Sequence, residues 1–286
     1  ADAGGALRSR PRLGYISGER HGGEIMAGEL AIRLGAFFGI FLSMALLERY
    51  APMRGLIASR WRRWTTNWAV SAIDSVMVKL LFGAAAAGAA VDAEDRGWGL
   101  FNALDWPFWL EVLLVFVILD FAIWAQHVAS HHIPILWRLH RVHHSDPDID
   151  VTTAIRFHPL EIAFSMVLKI GLVYALGAPL IAVILFEVVL NGAAMFNHAN
   201  LAIPQKIDRW LRLAVVTPDM HRVHHSTIRA EHDTNFGFNL SVWDRLFGTY
   251  TDQPAGGHRG MEIGLEGYGG EAPTRLGWTL SFPFRR

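Results

Sequence analysis

Residues 127–144 read HVASHHIPILWRLHRVHH, and this stretch holds six histidines directly after a long apolar segment. His127 and His131 are four residues apart, so a helix places both imidazoles on one face, one turn apart. Imidazole binds iron, zinc, copper and nickel, and histidine pairs at helical spacing are typical of metal sites inside helical bundles. The stretch therefore predicts a helical metal site at the end of a hydrophobic helix.

The pentapeptide HRVHH occurs twice, at 140–144 and again at 221–225. Within each copy the histidines are spaced so that a helix gathers them on a common side. A lone histidine is more often a surface or satisfied core residue, but several adjacent buried imidazoles without a metal would leave many donors and acceptors unpaired. Two sets of this kind predict two metal ions.

The composition excludes several classes of protein. Of the 286 residues 52% are hydrophobic, none is cysteine, and the formal net charge is zero. Several apolar runs reach the length of about 20 residues that a bilayer-spanning helix needs, which predicts an integral membrane protein. The absence of cysteine excludes disulfides, thiolate zinc sites and iron–sulfur clusters, so a metal must bind to nitrogen and oxygen. The balanced charge does not favour nucleic-acid binding.

We predict an all-α integral membrane protein with about four to five transmembrane or hairpin helices and a cytoplasmic, histidine-rich helical cap that holds a dinuclear metal site. The apolar runs predict membrane helices at residues 30–47, 69–91, 108–126, 162–176 and 179–196. One membrane domain, residues 30–251, includes these helices and the two parts of the cap, 127–161 and 197–251. Residues 1–29 are interpreted as an N-terminal tail, of which 1–25 are either native or added sequence, and residues 252–286 as a cap or loose tail.

The predicted sidedness rests on charge. Arginines and tryptophans crowd the connection between the first two apolar runs, and such residues mark the cytoplasmic boundary of a membrane. The next connection, residues 92–105, carries four acidic residues against one arginine and is assigned to the far side. Gly177 and Pro179 interrupt the last long apolar run, which predicts a helical hairpin. This path returns His198 and the second pentapeptide to the cytoplasmic side, beside the first histidine set.

The clustered histidines are the predicted metal ligands, and they exceed the roughly four ligands of a zinc ion. Two metals with several imidazoles each fit better, and iron is the metal whose chemistry uses an open position for dioxygen. The predicted ligands are His127, His131, His140, His143, His144, His198, His221, His224 and His225. Three further candidates have alternative roles: His158 as a helix cap, His132 as a residue off the shared face, and His232 as an orienting group. His21 and His258 are interpreted as ordinary polar residues of the tails.

Five polar residues are predicted to orient the ligands by accepting an imidazole N–H, a contact that fixes the tautomer of a metal-bound histidine. Asp120 precedes His127 by two helical turns on the same face; its alternative role is an intramembrane polar contact, for example with Lys79. The other four candidates are Asp146, Asp219, Asn200 and Asn235. No catalytic side chain is predicted beyond the metal centre.

Ordered motifs within residues 108–251 resemble the sterol desaturase and fatty acid hydroxylase superfamily. They are DFAIWAQHVASHHIPILWRLHRVHHSD (120–146), RFHPLE (156–161), FNHANL (196–201), TPDMHRVHHS (217–226), and NFG followed by WDRLFGTY (235–250). The resemblance implies a helical membrane enzyme with a dinuclear centre, usually of iron, that uses dioxygen and two electrons to hydroxylate or desaturate a lipid. By position, the histidine pair 127 and 131, both pentapeptides and His198 correspond to the family's ligands. Zinc is an alternative occupant in the purified protein.

The resemblance also implies partners. The expected substrate is a membrane lipid such as a sterol, a fatty acyl chain, or an amino-acid or sphingolipid, and the carbon that reacts is left open. No haem, flavin or nucleotide-binding segment is evident, so the electrons are expected from an external donor of the ferredoxin, cytochrome b5 or reductase type. The compact length and the lack of a eukaryotic retrieval signal at Arg285–Arg286 favour a bacterial inner membrane. The sequence leaves the oligomeric state open.

Three other functions are alternatives to this one. Ether-lipid cleavage by a monooxygenase of the same family begins with the same hydrogen abstraction, and the sequence does not separate it from hydroxylation. A zinc-dependent lipid hydrolase would need a three-ligand zinc and a general base, yet the chain lacks HExxH. A metal transporter or sensor would spread its ligands along a transmembrane path. The histidines instead cluster beyond the apolar ends, which disfavours this class.

Overall fold

The computed structural model describes the backbone of residues 19–285, with side chains at residue 28 and from residue 30 onward. In chain order its first helices are α1 Glu19–Tyr50, α2 Arg60–Phe82, α3 Ala85–Arg96, α4 Leu100–Ala103, α5 Phe108–His132, α6 Pro134–His144, α7 Pro159–Leu176 and α8 Leu180–Asn197. Shorter helices follow: α9 Gln205–Leu211, α10 Pro218–His224, α11 Arg229–His232, α12 Val242–Leu246, α13 Gly257–Gly260 and α14 Leu276–Ser281. The predictions made for residues 1–18 and for His21 lie outside the described residues.

Five helical segments are long and apolar enough to cross a membrane: Leu30–Tyr50, Arg60–Ala103, Phe108–His132, Pro159–Leu176 and Leu180–Asn197. The predicted class, an all-α integral membrane protein, is confirmed. Exposed tryptophans lie at both ends of the bundle, with Trp61 near the histidines and Trp98, Trp106 and Trp109 at the opposite end. Tryptophan prefers the membrane–water interface, so these side chains mark the two boundaries.

The end of the bundle away from the histidines is closed by small residues. Ala86, Ala89 and Ala90 of α3 are buried in a core that includes Val173 of α7 and Phe186 of α8. A Cβ atom on Gly99 would lie 2.0 Å from the backbone nitrogen of Gly177, so only glycine allows this approach. Gly177 has a φ of +63° and ends α7. The structure therefore has the α7–α8 hairpin predicted from the sequence.

The first two helices differ from the prediction. The backbone of α1 is already helical at residue 19, inside the predicted tail. The helix predicted at 69–91 instead runs from Arg60 to Phe82, and Gly83 (φ +57°) and Ala85 (φ +50°) turn the chain before α3. Hydropathy detects only the apolar part of a helix, so the polar first turns of α2 resemble a loop in the sequence.

The polar start of α2 is buried among the loops of the cap. The Arg63 side chain is 0% exposed and donates from Nε to Asp146 (2.5 Å) and from Nη1 to Asp150 (2.6 Å). Asn67 donates to Asp146 (3.1 Å) and accepts from Nη1 of Arg156 (2.8 Å). Arg63 lies in the connection that was predicted between the first two apolar runs, but the structure places it in a helix and not in a loop. It compensates the charge of carboxylates that follow the first pentapeptide.

The described part of the C-terminal segment 252–286 is a cap and not a loose tail. Arg156 donates from Nη2 to the carbonyl of Pro273 (2.9 Å), and Arg141 donates from Nη2 to the carbonyl of Phe282 (2.8 Å). Phe282 is fully buried, and its ring stacks on Trp278 with centroids 4.2 Å apart. These contacts hold the segment against α6, the helix that carries the first pentapeptide.

Candidate metal centre

The nine histidines predicted as ligands lie together in the cap and form two groups. The five-histidine group consists of His127, His131, His140, His144 and His224, and the four-histidine group of His143, His198, His221 and His225. Each residue is buried, and the ring nitrogens within each group lie within 4.8 Å of one another. The groups adjoin, because the stacked rings of His144 and His225 have centroids 4.7 Å apart.

Each copy of HRVHH contributes to both groups. The first and last histidines of the first copy, His140 and His144, belong to the five-histidine group, whereas His143 belongs to the four-histidine group. The second copy does the reverse: His221 and His225 belong to the four-histidine group and His224 to the other. Side chains four residues apart on a helix lie one above the other, while the histidine between them is rotated away. The prediction that each copy gathers all its histidines on a common side is therefore wrong, and one turn contributes to both groups.

The turn between α5 and α6 brings the first histidines face to face. Pro134 cannot continue α5 but is favourable at the start of α6, so the chain reverses here. As a result Nε2 of His127 lies 3.0 Å from Nε2 of His140, and Nε2 of His131 lies 3.1 Å from Nε2 of His144. The five-histidine group is thus assembled mainly by one helix–turn–helix unit.

The ends of α8 and α10 supply most of the four-histidine group. Pro218 starts α10 and the Thr217 side chain caps it, which explains why TP precedes the second pentapeptide. His198 follows the last residue of α8. Its Nε2 atom lies 3.0 Å from Nε2 of His221 and 3.1 Å from Nε2 of His143. Three segments that are distant in sequence therefore converge on one point.

Oxygen atoms hold the outward nitrogen, Nδ1, of six of these rings. A carbonyl can only accept a hydrogen bond, so Nδ1 beside it must carry the ring proton and Nε2 must present a lone pair. The carbonyl contacts join His127 to Phe236 (2.7 Å), His143 to Arg156 (3.3 Å), His198 to Ala194 (2.7 Å) and His224 to Thr234 (2.7 Å). Two carboxylates act similarly: Glu161 lies 2.6 Å from His140, and Asp233 lies 3.1 Å from His131.

This arrangement fits metal ions. His143 and His198 turn their Nε2 lone pairs toward each other at 3.1 Å, and neither can donate a hydrogen bond to the other. Other buried ring nitrogens have no hydrogen-bond partner, namely Nδ1 of His144 and His221, Nε2 of His224 and both nitrogens of His225. Facing lone pairs repel, and unpaired buried nitrogens are costly, unless a cation lies between them. The all-nitrogen donor set suits iron, zinc, copper or nickel.

The environment keeps these imidazoles neutral. Burial, followed by the effect of neighbouring imidazoles, lowers the pKa well below its ordinary value for His143, His144, His221, His224 and His225. Burial also lowers the pKa of His198 to about 4. Neutral imidazole is the form that binds metals, so the site is prepared for them at neutral pH.

Two of the remaining candidate histidines have structural roles. Nδ1 of His158 accepts the backbone N–H of Leu160 (3.2 Å), so this residue caps α7, which is the alternative role that the sequence suggests. His132 is exposed, and its Nδ1 bonds to the carbonyl of Val128 (2.8 Å). Neither belongs to the two groups.

His232 and His258 are more enclosed. His232 stacks on Trp137 with ring centroids 5.4 Å apart, and with His131 and Asp233 it forms a smaller group beside the five-histidine group. The side chain of His258, interpreted from the sequence as a tail residue, is only 9% exposed and lies 3.7 Å from Asp219. Its burial follows from the packing of the C-terminal segment on the cap.

The five polar residues predicted to orient the ligands bond to other partners, and none contacts an imidazole of the two groups. Asp120 accepts the indole N–H of Trp243 (2.8 Å) and a backbone N–H, while Asp146 is held by Arg63. Asp219 pairs with Arg222 (2.5 Å). The amides also stabilise loops: Asn200 bonds to the backbone of Arg54, and Asn235 to the backbone of Thr251. Spacing along one helix does not reveal partners on distant segments.

Sequence reasoning missed three carboxylates that support the site, Glu161, Asp233 and Asp244. Asp244 accepts the backbone N–H groups of Phe236 and Gly237 (2.8 Å each) and so directs the Phe236 carbonyl that holds His127. Glu161 belongs to RFHPLE and Asp244 to WDRLFGTY. Both motifs carry the family resemblance, so membership of a motif is the signal that could have identified them.

Known proteins resemble the part of the chain that carries the two histidine groups. The fatty acid hydroxylase family model matches residues 112–249. The chain is 35% identical over 162 residues to the ornithine lipid hydroxylase OlsE of Rhizobium tropici, covering 57% of this chain and 47% of that protein. It is 30% identical over 160 residues to the alkylglycerol monooxygenase of Homo sapiens, covering 54% of this chain and 34% of the relative. It is 28% identical over 181 residues to the fatty acid hydroxylase vlmA of Lecanicillium sp, covering 57% and 48%.

These relatives are longer proteins, and the chain spans between about a third and a half of their length. No solved structure matches the chain. The region matched by the family model begins inside α5 and extends beyond α12, so it contains all the histidines of both groups. Residues 112–249, just under half of the chain, match the fatty acid hydroxylase family, which confirms the resemblance to the sterol desaturase and fatty acid hydroxylase superfamily.

Proposed function

We propose that this chain is a membrane-bound di-iron oxygenase that uses dioxygen and externally supplied electrons to hydroxylate, or desaturate, an unactivated C–H bond of a lipid. The observation that carries the proposal is the pair of adjoining groups of buried, neutral imidazoles whose lone pairs converge. Iron bound there would supply dioxygen activation and hydrogen abstraction from carbon, chemistry that no protein side chain performs alone. Zinc stays an alternative occupant of the purified protein.

The side chains of this protein would bind the metal ions, orient the ligands and shield the site from water. The imidazoles would act as ligands. Glu161 and Asp233 orient the rings of His140 and His131, respectively, through hydrogen bonds at Nδ1. Phe236 is fully buried, with its ring centroid 5.0 Å from that of His131. On the other side the Phe157 ring stacks on His143 with centroids 4.5 Å apart. These aromatic rings keep bulk water from the centre, which protects an oxidising site from side reactions.

The proposed substrate is a membrane lipid, which reaches the site from the bilayer because the histidines lie where α5 and α8 leave their apolar segments. The relative that is 35% identical is named an ornithine lipid hydroxylase, so an amino-acid lipid is the first class to test. Sterols, fatty acyl chains and sphingolipids remain candidates within the same proposal.

Ether-lipid cleavage is a second candidate, because one relative, 30% identical, is named alkylglycerol monooxygenase. Oxygen insertion beside an ether oxygen would use the same site. A zinc-dependent hydrolase has less support, because Glu161 and Asp233 approach the rings of their histidines at Nδ1, the nitrogen that points away from the converging lone pairs. Neither carboxylate is therefore well oriented to act as a base toward a metal-bound water.

We further propose that the cap faces the cytoplasm of a bacterial inner membrane. Arg49, Arg54, Arg60 and Arg62 lie at the cap end of the bundle, whereas Asp92, Glu94 and Asp95 lie at the opposite end, a distribution typical of a cytoplasmic cap. The electrons are proposed to come from a separate ferredoxin, cytochrome b5 or reductase-type donor. The lack of cysteine in the chain supports this, because iron–sulfur relays require thiolates.

The first test is elemental analysis of protein purified anaerobically in mild detergent, with the His143→Ala/His224→Ala double variant as the blank. Iron bound in the parent and lost in the variant, together with a lipid product heavier by one oxygen or lighter by two hydrogens when dioxygen and reductant are present, would support the proposal. Aldehyde release from an alkylglycerol would identify ether cleavage. Zinc as the sole metal, with lipid turnover that needs neither dioxygen nor reductant, would sink the oxygenase and favour the hydrolase.

A further inference from the structure

An apolar surface lies on the outside of the cap, away from the histidine groups. Its side chains come from α9, from α12 and from the residues next to them, and each is more than 40% exposed: Ile207, Trp210, Leu213, Val242, Leu246 and Phe247. We call this the α9–α12 surface. Large exposed apolar patches of this kind are rare where a protein faces water.

The two parts of the α9–α12 surface form one rigid unit. The carbonyl of Arg212, directly after α9, accepts hydrogen bonds from the Ser241 hydroxyl (2.8 Å) and from Nη2 of Arg245 (2.9 Å). The backbone N–H of Ser241 also donates to the carbonyl of Ala214 (3.2 Å). The residues that directly follow α9, Arg212 and Ala214, are thus hydrogen-bonded to α12 and the residue before it, so the exposed apolar side chains of both helices are held together.

This unit is fastened to a membrane-spanning helix by a reciprocal pair of contacts. The indole N–H of Trp243 donates to Asp120 (2.8 Å), and the indole N–H of Trp124 donates to Asp244 (3.0 Å). The Phe247 ring stacks on Trp124 with centroids 4.6 Å apart. The contacted turn of α5 lies eight to twelve residues before its last residue, which is about 12–18 Å along the helix axis. α12 therefore packs beside a spanning helix well below the top of the cap.

The exposed charges of α9 itself are cationic. On α9, Lys206 and Arg209 are exposed, whereas the single acidic residue, Asp208, is buried and paired with Arg212. Amphipathic helices that lie in a membrane interface combine an apolar face with lysine or arginine at the edge, where anionic phosphate groups are found. The exposed apolar side chains, the attachment to α5 and the positive charge of α9 thus all indicate that this surface contacts the lipid bilayer.

We infer that the α9–α12 surface is immersed in the interface of the bilayer that the five helices cross, with Lys206 and Arg209 against anionic lipid headgroups. The boundary of the membrane on the cap side then runs near Trp124 of α5. His127 lies one turn above that boundary, about 5 Å along the axis. The histidine groups accordingly sit just above the headgroup plane, and the surface anchors the cap to the lipid beneath it.

The absence of cysteine permits a direct test, because a single introduced cysteine can be labelled with a nitroxide without background. The test variants are Leu213→Cys and Leu246→Cys in vesicles of phosphatidylcholine and phosphatidylglycerol. Leu113→Cys, on the exposed face of α5, is the immersed control, and Glu266→Cys, exposed on the C-terminal segment, is the water-facing control. The readout is the collision rate of each label with dioxygen and with a water-soluble nickel chelate.

We expect the labels at 213 and 246 to behave as at 113, with nickel collisions several-fold fewer than at 266 and dioxygen collisions more frequent. Equal nickel access at 213, 246 and 266 would overturn the inference and would favour a protein partner for this surface. The Lys206→Gln/Arg209→Gln variant tests the charges: it should make the label at 213 more accessible in the anionic vesicles. No change would overturn the headgroup contact. These readouts do not depend on catalysis, and unchanged elution in detergent confirms that each variant is folded.

Discussion

Nδ1 of His140 lies 2.6 Å from Oε1 of Glu161, a carboxylate 21 residues away in the first turn of α7. The contact ties a ring of the five-histidine group to a membrane helix that supplies no member of either group. An imidazole held in this way presents Nε2 to a metal in a fixed direction and is a stronger donor. The start of α7 is therefore part of the metal centre.

Replacing Glu161 by glutamine should weaken metal binding. Loss of such a partner typically lowers metal affinity by about 10–100-fold, because the ring becomes free to rotate and is less basic. Titration of metal-depleted protein with iron under anaerobic conditions measures the change. Glu266→Gln, on an exposed residue, is the matched control. Unchanged affinity in Glu161→Gln would mean that the carboxylate does not orient His140.

Each pentapeptide contributes histidines to both groups, and two double variants can test this assignment. His140→Ala/His144→Ala removes two members of the five-histidine group, so the metal of the four-histidine group should remain bound. His140→Ala/His143→Ala removes one member from each group and should weaken both sites. Metal content after dialysis distinguishes these results, with His132→Ala as the control. If each pentapeptide served a single metal, the two variants would lose the same one.

Arg63→Met should strongly destabilise the cap. Removing one partner of a buried ion pair typically costs about 3–5 kcal/mol, because the remaining charges, here Asp146 and Asp150, stay buried without compensation. Arg62→Met is a close control, since Arg62 is half exposed and pairs with the exposed Glu271. Thermal unfolding in detergent should separate the two variants by many degrees. Similar midpoints would contradict a structural role for Arg63.

Asp244→Ala should loosen the loop that holds His127. The substitution leaves the N–H groups of Phe236 and Gly237 and the Trp124 indole without their acceptor, at about 1–3 kcal/mol for each buried group. Hydrogen exchange of the Phe236 and Gly237 amides should accelerate, and metal affinity of the five-histidine group should fall. Asp105→Ala, at an exposed carboxylate, should change neither. Unchanged slow exchange of these amides in Asp244→Ala would mean that Asp244 does not hold the loop.

Metal-depleted protein should lose stability as the solution is acidified below about pH 6.5, the ordinary pKa of histidine. Burial lowers the pKa of His143, His144, His198, His221, His224 and His225, so between about pH 6.5 and the folded pKa, about 4 for His198, the unfolded chain binds more protons than the folded one. Each such histidine can lower the free energy of unfolding by up to about 1.4 kcal/mol for each pH unit of acidification in this range. Unfolding midpoints at pH 7.5 and 5.5 measure the effect. His225→Gln should reduce the slope, and a flat profile in the parent would contradict the prediction.

The membrane helices and the identity of the clustered histidines were predictable from the sequence because both signals are local. An apolar run of sufficient length predicts a spanning helix wherever it occurs, and histidines at helical spacing face one side whatever surrounds them. The hairpin at Gly177 was predictable for the same reason. The start of α2 was not, since a polar helix buried in a cap has the composition of a loop.

Only the tertiary structure decided which histidines share a metal and which residues hold them. Arg63 meets Asp146 and Asp150 across 83 and 87 residues, and Trp124 meets Asp244 across 120. The convergence of His143, His198 and His221 depends on how α6, α8 and α10 pack together. Such contacts arise when separate helices bury their polar groups against one another, because each buried donor or charge must find a partner. No spacing along a single helix contains that information.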